Sequence, residues 1–186
     1  QEVIDTGAEL GLAFDGDGDR LGVVDNTGQV IWADRQMMLY AKDVLSRKEG
    51  AKIIFDVKCT SLLHKVISEN GGDPILSRTG HSFIKKKLKE TNAELAGEMS
   101  GHIFFKERWY GFDDALYTAA RLLEIVSKSD KSCSEIFNEL PANISTPEIN
   151  INFKEHGQQY EAMDSLSSNI DFPGASINTI DGFRVD

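Results

Sequence analysis

Cysteine is scarce in this chain: Cys59 and Cys133 are the two among 186 residues, far apart and in neither a CxxC pair nor any metal-ligand spacing. A disulfide framework does not fit that pattern, and both read as free buried thiols in a reducing compartment. A surplus of basic charge is missing too. The formal net charge of -10 argues against nucleic acid as a partner, because a phosphate backbone needs a cationic face. A small phosphorylated ligand stays open, since it needs only a few local basic groups. No apolar run reaches the ~18 residues of a membrane span, and the polar, acidic start carries no signal peptide. A cytoplasmic protein without a membrane partner is the expectation. Internal repeats and low-complexity stretches are absent as well. The remainder, 40% hydrophobic and 27% charged, can build a real core for one ordinary domain or two small ones.

Both ends look cut. The chain opens at Gln1 without a methionine and enters an apolar strand within ten residues. It closes on Phe183-Arg184-Val185-Asp186, a β-like run directly after the turn signal Asp181-Gly182. An internal fragment of a longer protein is expected.

Patterning predicts alternating strands and helices. Leu10 to Phe14 reads as a short buried strand, and Leu21 to Val24 and Gln29 to Trp32 flank the hairpin signal Asp25-Asn26-Thr27-Gly28. Asp34 is the expected N-cap of a helix to about Ser46, with Met38, Ala41 and Leu45 near helical spacing. Lys52 to Val57 reads as a strand. Ser61 to Asn70 reads as a helix with Leu62, Leu63, Val66 and Ile67 on one face, closed by Gly71-Gly72. Pro74 to Ser77 and Ser82 to Glu90 repeat the strand–helix pair, and Ile103 to Phe105 is β-like. Asp113 is the expected cap of a helix to about Lys128, with Leu116, Ala120, Leu123 and Val126 inside. Ser132 or Ser134 caps a short one before Pro141. This alternation predicts an α/β layer with a substantially parallel sheet. After Pro141, Glu148 to Phe153 reads as a half-exposed strand, a polar helix follows near Gln158 to Ser167, and strands return near Ala175.

Chemistry concentrates in the loops. Asp15-Gly16-Asp17-Gly18-Asp19-Arg20 spaces three aspartates at i, i+2 and i+4, and a tight turn, which Gly16 and Gly18 permit through positive φ, aims them at one point. Such hard oxygen donors suit Mg²⁺, Ca²⁺ or Mn²⁺, whereas zinc would want His or Cys. An EF-hand loop fails on position: counted from Asp15, the sixth residue is Arg20 rather than glycine and the twelfth is Asn26 rather than glutamate. A solvated acidic turn is the plain alternative. Arg20 speaks against it, because a guanidinium beside carboxylates is where metal and arginine bind a phosphate oxygen jointly.

Gly97-Glu98-Met99-Ser100-Gly101-His102 sets a carboxylate, a hydroxyl and an imidazole at alternating positions. Glu98 and Ser100 could hydrogen-bond adjacent sugar hydroxyls, or the stretch is a polar turn with a capping serine. Ser100 as a nucleophile with His102 as base lacks the Gly-x-Ser-x-Gly elbow. Lys58 ends a strand where a ligand-facing residue sits in an α/β sheet. Thr79-Gly80-His81-Ser82 follows the next strand and opens a helix, so backbone donors there, Gly80 included, can hold an anion.

The acidic loop followed downstream by Gly97 to His102 resembles the metal loop and sugar-binding loop of the α-D-phosphohexomutases. Asp56-Val57-Lys58-Cys59-Thr60, Arg78-Thr79-Gly80-His81 and Phe105 to Asp114 are similar to the bacterial phosphomannomutase/phosphoglucomutase branch. The resemblance covers essentially the whole chain. It implies a three-layer α/β domain with a mixed, largely parallel sheet, within an enzyme of four domains around a cleft. Residues 1–30 would be the end of the second domain, 31–141 the third, and 142–186 a truncated start of the fourth. It implies Mg²⁺ on Asp15, Asp17, Asp19 and a serine phosphate, with Arg20 beside the reacting phosphate. Glu98 and Ser100 would hold sugar hydroxyls, with His102 close by. Lys58 and His81 would line the cleft, and Lys58, His81 and His102 are unranked candidates for contact or proton transfer. The implied substrates are mannose and glucose 1- and 6-phosphates, interconverted through a phosphoserine and a bisphosphorylated sugar. The family's phosphoryl-carrying serine loop and its fourth-domain phosphate loop have no counterpart here, so the missing domains of the same chain are the expected partners and the fragment is expected to be inactive. Phosphoglucosamine mutase, usually with Gln where this chain has Met99, and a non-catalytic sugar- or metal-binding module are the alternatives.

Overall fold

The computed structural model describes every residue except 143, 145, 147 and 170. It divides into two compact units, residues 1–142 and 143–186. The first begins with a short helix, α1 (Glu2–Thr6), which the hydrophobic pattern does not announce. An antiparallel meander follows, β1 (Leu10–Phe14), β2 (Leu21–Asp25) and β3 (Val30–Ile31). Phe14 pairs with Leu21, so the acidic stretch 15–20 is the turn of a hairpin. Strand β1 is not buried as expected: its residues are half-buried or exposed, because it is the edge of the meander, while Leu21 and Val23 of the central strand enter the core. Asp25 closes the second turn by accepting hydrogen bonds from the Thr27 and Gln29 amides, and Gly28 supplies the positive φ of 85°.

Helix α2 (Ala33–Leu45) leads to a four-stranded sheet of β4 (Lys52–Asp56), β5 (Asp73–Ser77), β6 (Leu95–Gly97) and β7 (Ile103–Phe105), in the order β5-β4-β6-β7. Strands β5 and β6 are parallel to β4, one on each side, and β7 returns antiparallel to β6. The sheet is mixed and largely parallel. The two connections run in opposite directions across β4, so crossovers of the same hand put α3 (Ser61–Glu69) on one face and α4 (His81–Thr91) on the other. The two-residue alternation of the strands serves both layers. Ile53, Phe55, Leu95, Ile103 and Phe105 face α2, α3 and the later helix α5 (Ala115–Ser127), whereas Ile54, Ala96 and Phe104 face Ile84 and Leu88 of α4. Burying a side chain of this size stabilises by about 1.5–3 kcal/mol, and this doubly covered sheet is where most such burial occurs. A capping box of Ser132 and Glu135 starts α6 (Cys133–Asn138), as the serine pattern predicts. Cys59 and Cys133 are free and buried.

Two cap assignments change. Helix α2 starts at Ala33 with Trp32 at the N-cap, and Asp34, already inside the helix, takes the Thr60 amide instead. Helix α5 is capped by Asp114, which accepts from the Tyr117 amide, and not by Asp113. Its buried face is Ala115, Thr118, Ala119, Arg121, Leu122 and Val126, so Leu116, Ala120 and Leu123 point outward. The deciding residue is Arg121, which an apolar pattern sends to the surface but which carboxylates hold inside.

In the second unit, α7 (Gln158–Asn169) buries no residue, and β8 (Ile177–Asn178) pairs with β9 (Arg184–Val185) around Asp181-Gly182. The strand expected at Glu148 to Phe153 does not form; among the described residues no strand pairs with that segment, and it is exposed.

A candidate active site where the acidic hairpin meets the sheet edge

Loops following β4, β5 and β6 emerge together at the carboxyl edge of the parallel strands, the usual ligand edge of an open α/β sheet. Asp56, the last residue of β4, ties them. One carboxylate oxygen accepts from the Cys59 and Met99 amides at 3.2 and 3.3 Å, and the other from the Thr79 hydroxyl at 3.2 Å. Asp56 is completely buried. It was quoted in the sequence only as part of a motif, and its partners lie in three different loops, which no local spacing announces.

Glu98, 1% exposed, accepts the Gly80 amide at 2.5 Å through Oε1. Its Oε2 has no hydrogen-bond partner and stands 3.5 Å from His102 Nδ1. Burial pushes the Glu98 carboxyl above the usual carboxylate range, with neighbouring Asp56 adding to the effect and the Gly80 amide opposing it. Gly80 is therefore already engaged, which narrows the donors it offers to an anion. Ser100 is exposed, and its hydroxyl lies 2.7 Å from His102 Nδ1. Gly97 leaves no space for a side chain, since a Cβ there would stand 2.4 Å from Met37 Sδ.

The acidic turn is docked on this loop. The Leu21 amide donates to Gly101 O at 3.3 Å, and the Ala115 amide, first in α5, donates to Gly18 O at 3.0 Å. His102 Nε2 then lies 3.4 Å from Asp19 Oδ2. Only Gly18, at φ 75°, uses the positive φ expected of both glycines. Asp15, Asp17 and Asp19 offer oxygens within 4.8 Å of one another. Asp15 accepts from the Asp19 and Arg20 amides at 3.2 Å each and pairs with Arg20 Nε at 2.5 Å. That guanidinium contact is the main reason its carboxyl sits far below the usual range. Asp19 Oδ1 is buried without a hydrogen bond, 3.7 Å from Arg20 Nε. An all-oxygen carboxylate set with such an oxygen fits a hard divalent cation.

His81, half exposed, opens α4 and places Nδ1 3.0 Å from Asp113 Oδ2; its ring centroid is 5.6 Å from that of His102. Asp113 Oδ1 takes Lys85 Nζ at 2.9 Å. Burial would raise the Asp113 carboxyl, but Lys85 and His81 outweigh it and hold it below the usual range. Asp113 is the second residue whose place in the site the sequence does not reveal, since its position before an apolar run reads as a helix cap. Lys58 is exposed in the turn after β4, on the neighbouring loop of the same edge. An open groove of about 410 Å³ runs from Phe14, Asp15 and Arg20 past Trp32 to Met99 and Ser100.

These features define an open, three-layer α/β sheet domain with a carboxylate turn docked against a polar loop at its carboxyl edge. Comparison with known proteins places it further. The family model for phosphoglucomutase/phosphomannomutase, alpha/beta/alpha domain III, matches residues 32–144, and the chain belongs to that family. It is 57% identical over 185 residues to a phosphomannomutase/phosphoglucomutase of Pseudomonas putida and 59% identical over 180 residues to a phosphoglucomutase of Neisseria meningitidis. These matches cover 100% and 96% of this chain but 40% and 39% of those proteins, so the chain spans about two fifths of their length. A solved phosphoglucomutase/phosphomannomutase family protein of Burkholderia thailandensis superposes with TM-score 0.92 at 53% identity, covering 100% of this chain and 39% of that one. No described helix is long and apolar enough to cross a membrane.

Proposed function

We propose that this chain supplies the metal-holding and sugar-reading part of a phosphohexomutase that interconverts hexose 1-phosphates and 6-phosphates through a phosphoserine and a bisphosphorylated sugar. The observation that carries the reading is the docking of the acidic turn on the Gly97–His102 loop, with His102 Nε2 3.4 Å from Asp19 Oδ2. Phosphoryl transfer is mostly positioning and charge compensation, and this contact sets a cation site beside groups suited to sugar hydroxyls.

Asp15, Asp17 and Asp19 would hold Mg²⁺, which when bound offsets charge on a transferring phosphoryl group. Arg20 exchanges its contact with Asp15 for a phosphate oxygen. Glu98 Oε2, buried without a hydrogen bond, accepts from a sugar hydroxyl, and Ser100 reaches a neighbouring one. His102 and His81, with Lys58 on the adjacent loop, line the space where the phosphate moves. The match of a third-domain model to residues 32–144 supports reading 1–30 as the end of a preceding domain and 142–186 as the start of a following one. The serine and the remaining phosphate contacts come from elsewhere in a longer protein.

The test is an assay on glucose 1-phosphate and mannose 1-phosphate with Mg²⁺ and a hexose bisphosphate activator. The longer protein carrying these residues is expected to turn over both, and the 186-residue chain alone neither. Turnover by the isolated chain at the rate of the longer protein would sink the division of labour.

A further inference from the structure

The acidic turn has a neighbour of different chemistry. Asp19, His81, His102 and Asp113 each present a ligand atom, and these four atoms lie within 4.8 Å of one another. We propose that they form a second cation site, of N₂O₂ composition, for a borderline transition ion such as Zn²⁺, sharing Asp19 with the all-oxygen set of the turn.

The donors fit that ion and not Mg²⁺. Magnesium is a hard cation that takes oxygen, whereas Zn²⁺ takes imidazole nitrogen together with carboxylate in a tetrahedron. Zinc–ligand bonds of about 2.0–2.2 Å put ligand atoms about 3.3–3.6 Å apart. His102 Nε2 and Asp19 Oδ2 are already 3.4 Å apart, and His81 Nδ1 and Asp113 Oδ2 are 3.0 Å apart. Two carboxylates and two neutral imidazoles balance a divalent charge. On binding, the ion takes the place of the proton between His81 Nδ1 and Asp113 Oδ2, and a neutral His81 then carries that proton on Nε2, so the ring stays neutral.

The groups behind the donors are also in place. A metal-bound imidazole is normally oriented by a partner on its other nitrogen. His102 Nδ1 has Ser100 Oγ at 2.7 Å and Glu98 Oε2 at 3.5 Å, which leaves Nε2 to face Asp19. Glu98 is itself 1% exposed and its Oε2 has no other partner, so an imidazole N–H is the donor within its reach. Lys85 holds Asp113 through Oδ1 and leaves Oδ2 toward His81. Strand β6 and the hairpin turn fix one pair of donors; α4 and the loop before α5 fix the other. The site therefore closes only in the folded unit. Filled, it would withdraw both imidazoles and one Mg²⁺ ligand from the phosphoryl chemistry, a consequence that rests on the proposed function; the binding itself does not.

The chain offers its own controls, since it has four histidines and the other two, His64 and His156, lie on α3 and in the second unit. Zn²⁺ is titrated into the 186-residue chain by calorimetry, with imidazole proton spectra recorded alongside. One equivalent is expected to bind in the micromolar range or tighter, moving the His81 and His102 resonances and leaving those of His64 and His156. His81→Asn and Asp113→Asn are expected to weaken binding at least about tenfold, while Asp17→Asn, which removes a ligand from the turn alone, leaves it unchanged. Loss of Zn²⁺ binding in Asp17→Asn with retention in His81→Asn would move the ion into the acidic turn and overturn the proposal. So would shifts at His64 or His156 alone, or no binding by the parent. Circular dichroism melts accompany each variant; should Asp113→Asn fail to fold, the half-exposed His81 decides. Failure of the zinc site leaves the Mg²⁺ reading standing, because Asp17 and mutase turnover test that separately.

Discussion

Arg121 and Glu98 are both charged and almost fully buried, at 2% and 1% exposure, and their surroundings could hardly differ more. Arg121 Nη2 meets Asp43 at 2.8 Å and Glu107 at 2.9 Å, its Nη1 reaches Glu107 O at 3.1 Å, and its guanidinium lies 4.4 Å from the centroid of Phe105. Arg47 closes the cluster against the same two carboxylates at 2.7 and 3.1 Å. Around Glu98 the neighbours are Asp56 and two imidazoles, and Glu98 Oε2 and, in the acidic turn, Asp19 Oδ1 make no hydrogen bond, with His102 Nδ1 at 3.5 Å and Arg20 Nε at 3.7 Å. In the Arg121 cluster opposite charges are matched, most of them at hydrogen-bond distance; Arg121 Nε makes no hydrogen bond and stands 3.5 Å from Glu124 Oε2. The Glu98 cluster is open, rich in carboxylate and short of donors. Unmatched buried carboxylate at a ligand edge points to a site that a further group completes.

That contrast predicts where substitutions act. The largest effect on turnover is expected from Asp17→Asn in the longer protein: turnover falls on the order of 100-fold, the scale of losing one element of charge stabilisation, while the urea midpoint stays put because Asp17 is exposed. Steady-state kinetics beside a urea titration check this. A stability loss equal to that of a closed-cluster variant would erase the distinction.

Arg121→Met is the mirror experiment. It removes the buried cation from Asp43 and Glu107 and leaves them Arg47 alone, a loss of up to about 3–5 kcal/mol, read as a lower urea midpoint in the 186-residue chain. Replacing Asp43, Glu107 and Arg121 together by apolar residues of similar volume is expected to recover much of that loss, since a closed ion cluster is often no more stable than a packed apolar one.

The third prediction separates the clusters by pH. Burial raises the Glu98 carboxyl above its usual 4.5, so the native state holds that proton longer than the unfolded state and stability falls as pH rises through this window. Glu107 goes the other way. Burial would raise it, but Arg47 and Arg121 prevail and hold it below 4.5; its contribution is present above that value and is lost as pH falls through the lowered one. Glu98→Gln is therefore expected to equal or exceed the parent in stability near neutral pH, by ~0.5–2 kcal/mol, with the gain vanishing on acidification. Glu107→Gln is expected to be less stable near neutral pH, with its deficit shrinking at low pH. Urea melts of both across about pH 2 to 7 decide it. Parallel pH curves for the two variants would break the comparison.

The smallest difference concerns the two units. Helix α7 of residues 143–186 buries no side chain, while α2 of residues 1–142 buries Met37, Met38, Tyr40, Ala41 and Val44. Limited proteolysis of the chain is expected to trim the segment after about residue 142 first. Equal protection by hydrogen exchange in both units would contradict it.

How much of this was written in the order of residues follows from distance along the chain. The aspartates of the turn, the glycine that bends it, the Glu98-Ser100-His102 spacing and the β–α alternation are all local, so pattern and turn chemistry reach them. The substantially parallel sheet follows from the same alternation, while its mixed character, with β7 antiparallel to β6, was implied by the family resemblance. The buried character given to β1 did not hold, because whether a strand is an edge depends on its partners and not on its composition. Asp113 and Asp114 are equivalent as caps in sequence; the fold gave the helix to Asp114 and sent Asp113 to a histidine 32 residues away. Asp56 gained its place by reaching Met99, 43 residues on, and Arg121 became a core residue only through Asp43, 78 residues back. Residue order by itself determined which loops could carry chemistry, since ligand type and spacing within a turn are short-range properties. The tertiary structure alone decided which loops meet and which charges are closed off, because a buried charge takes its meaning from partners that only the packed chain brings within a few ångströms.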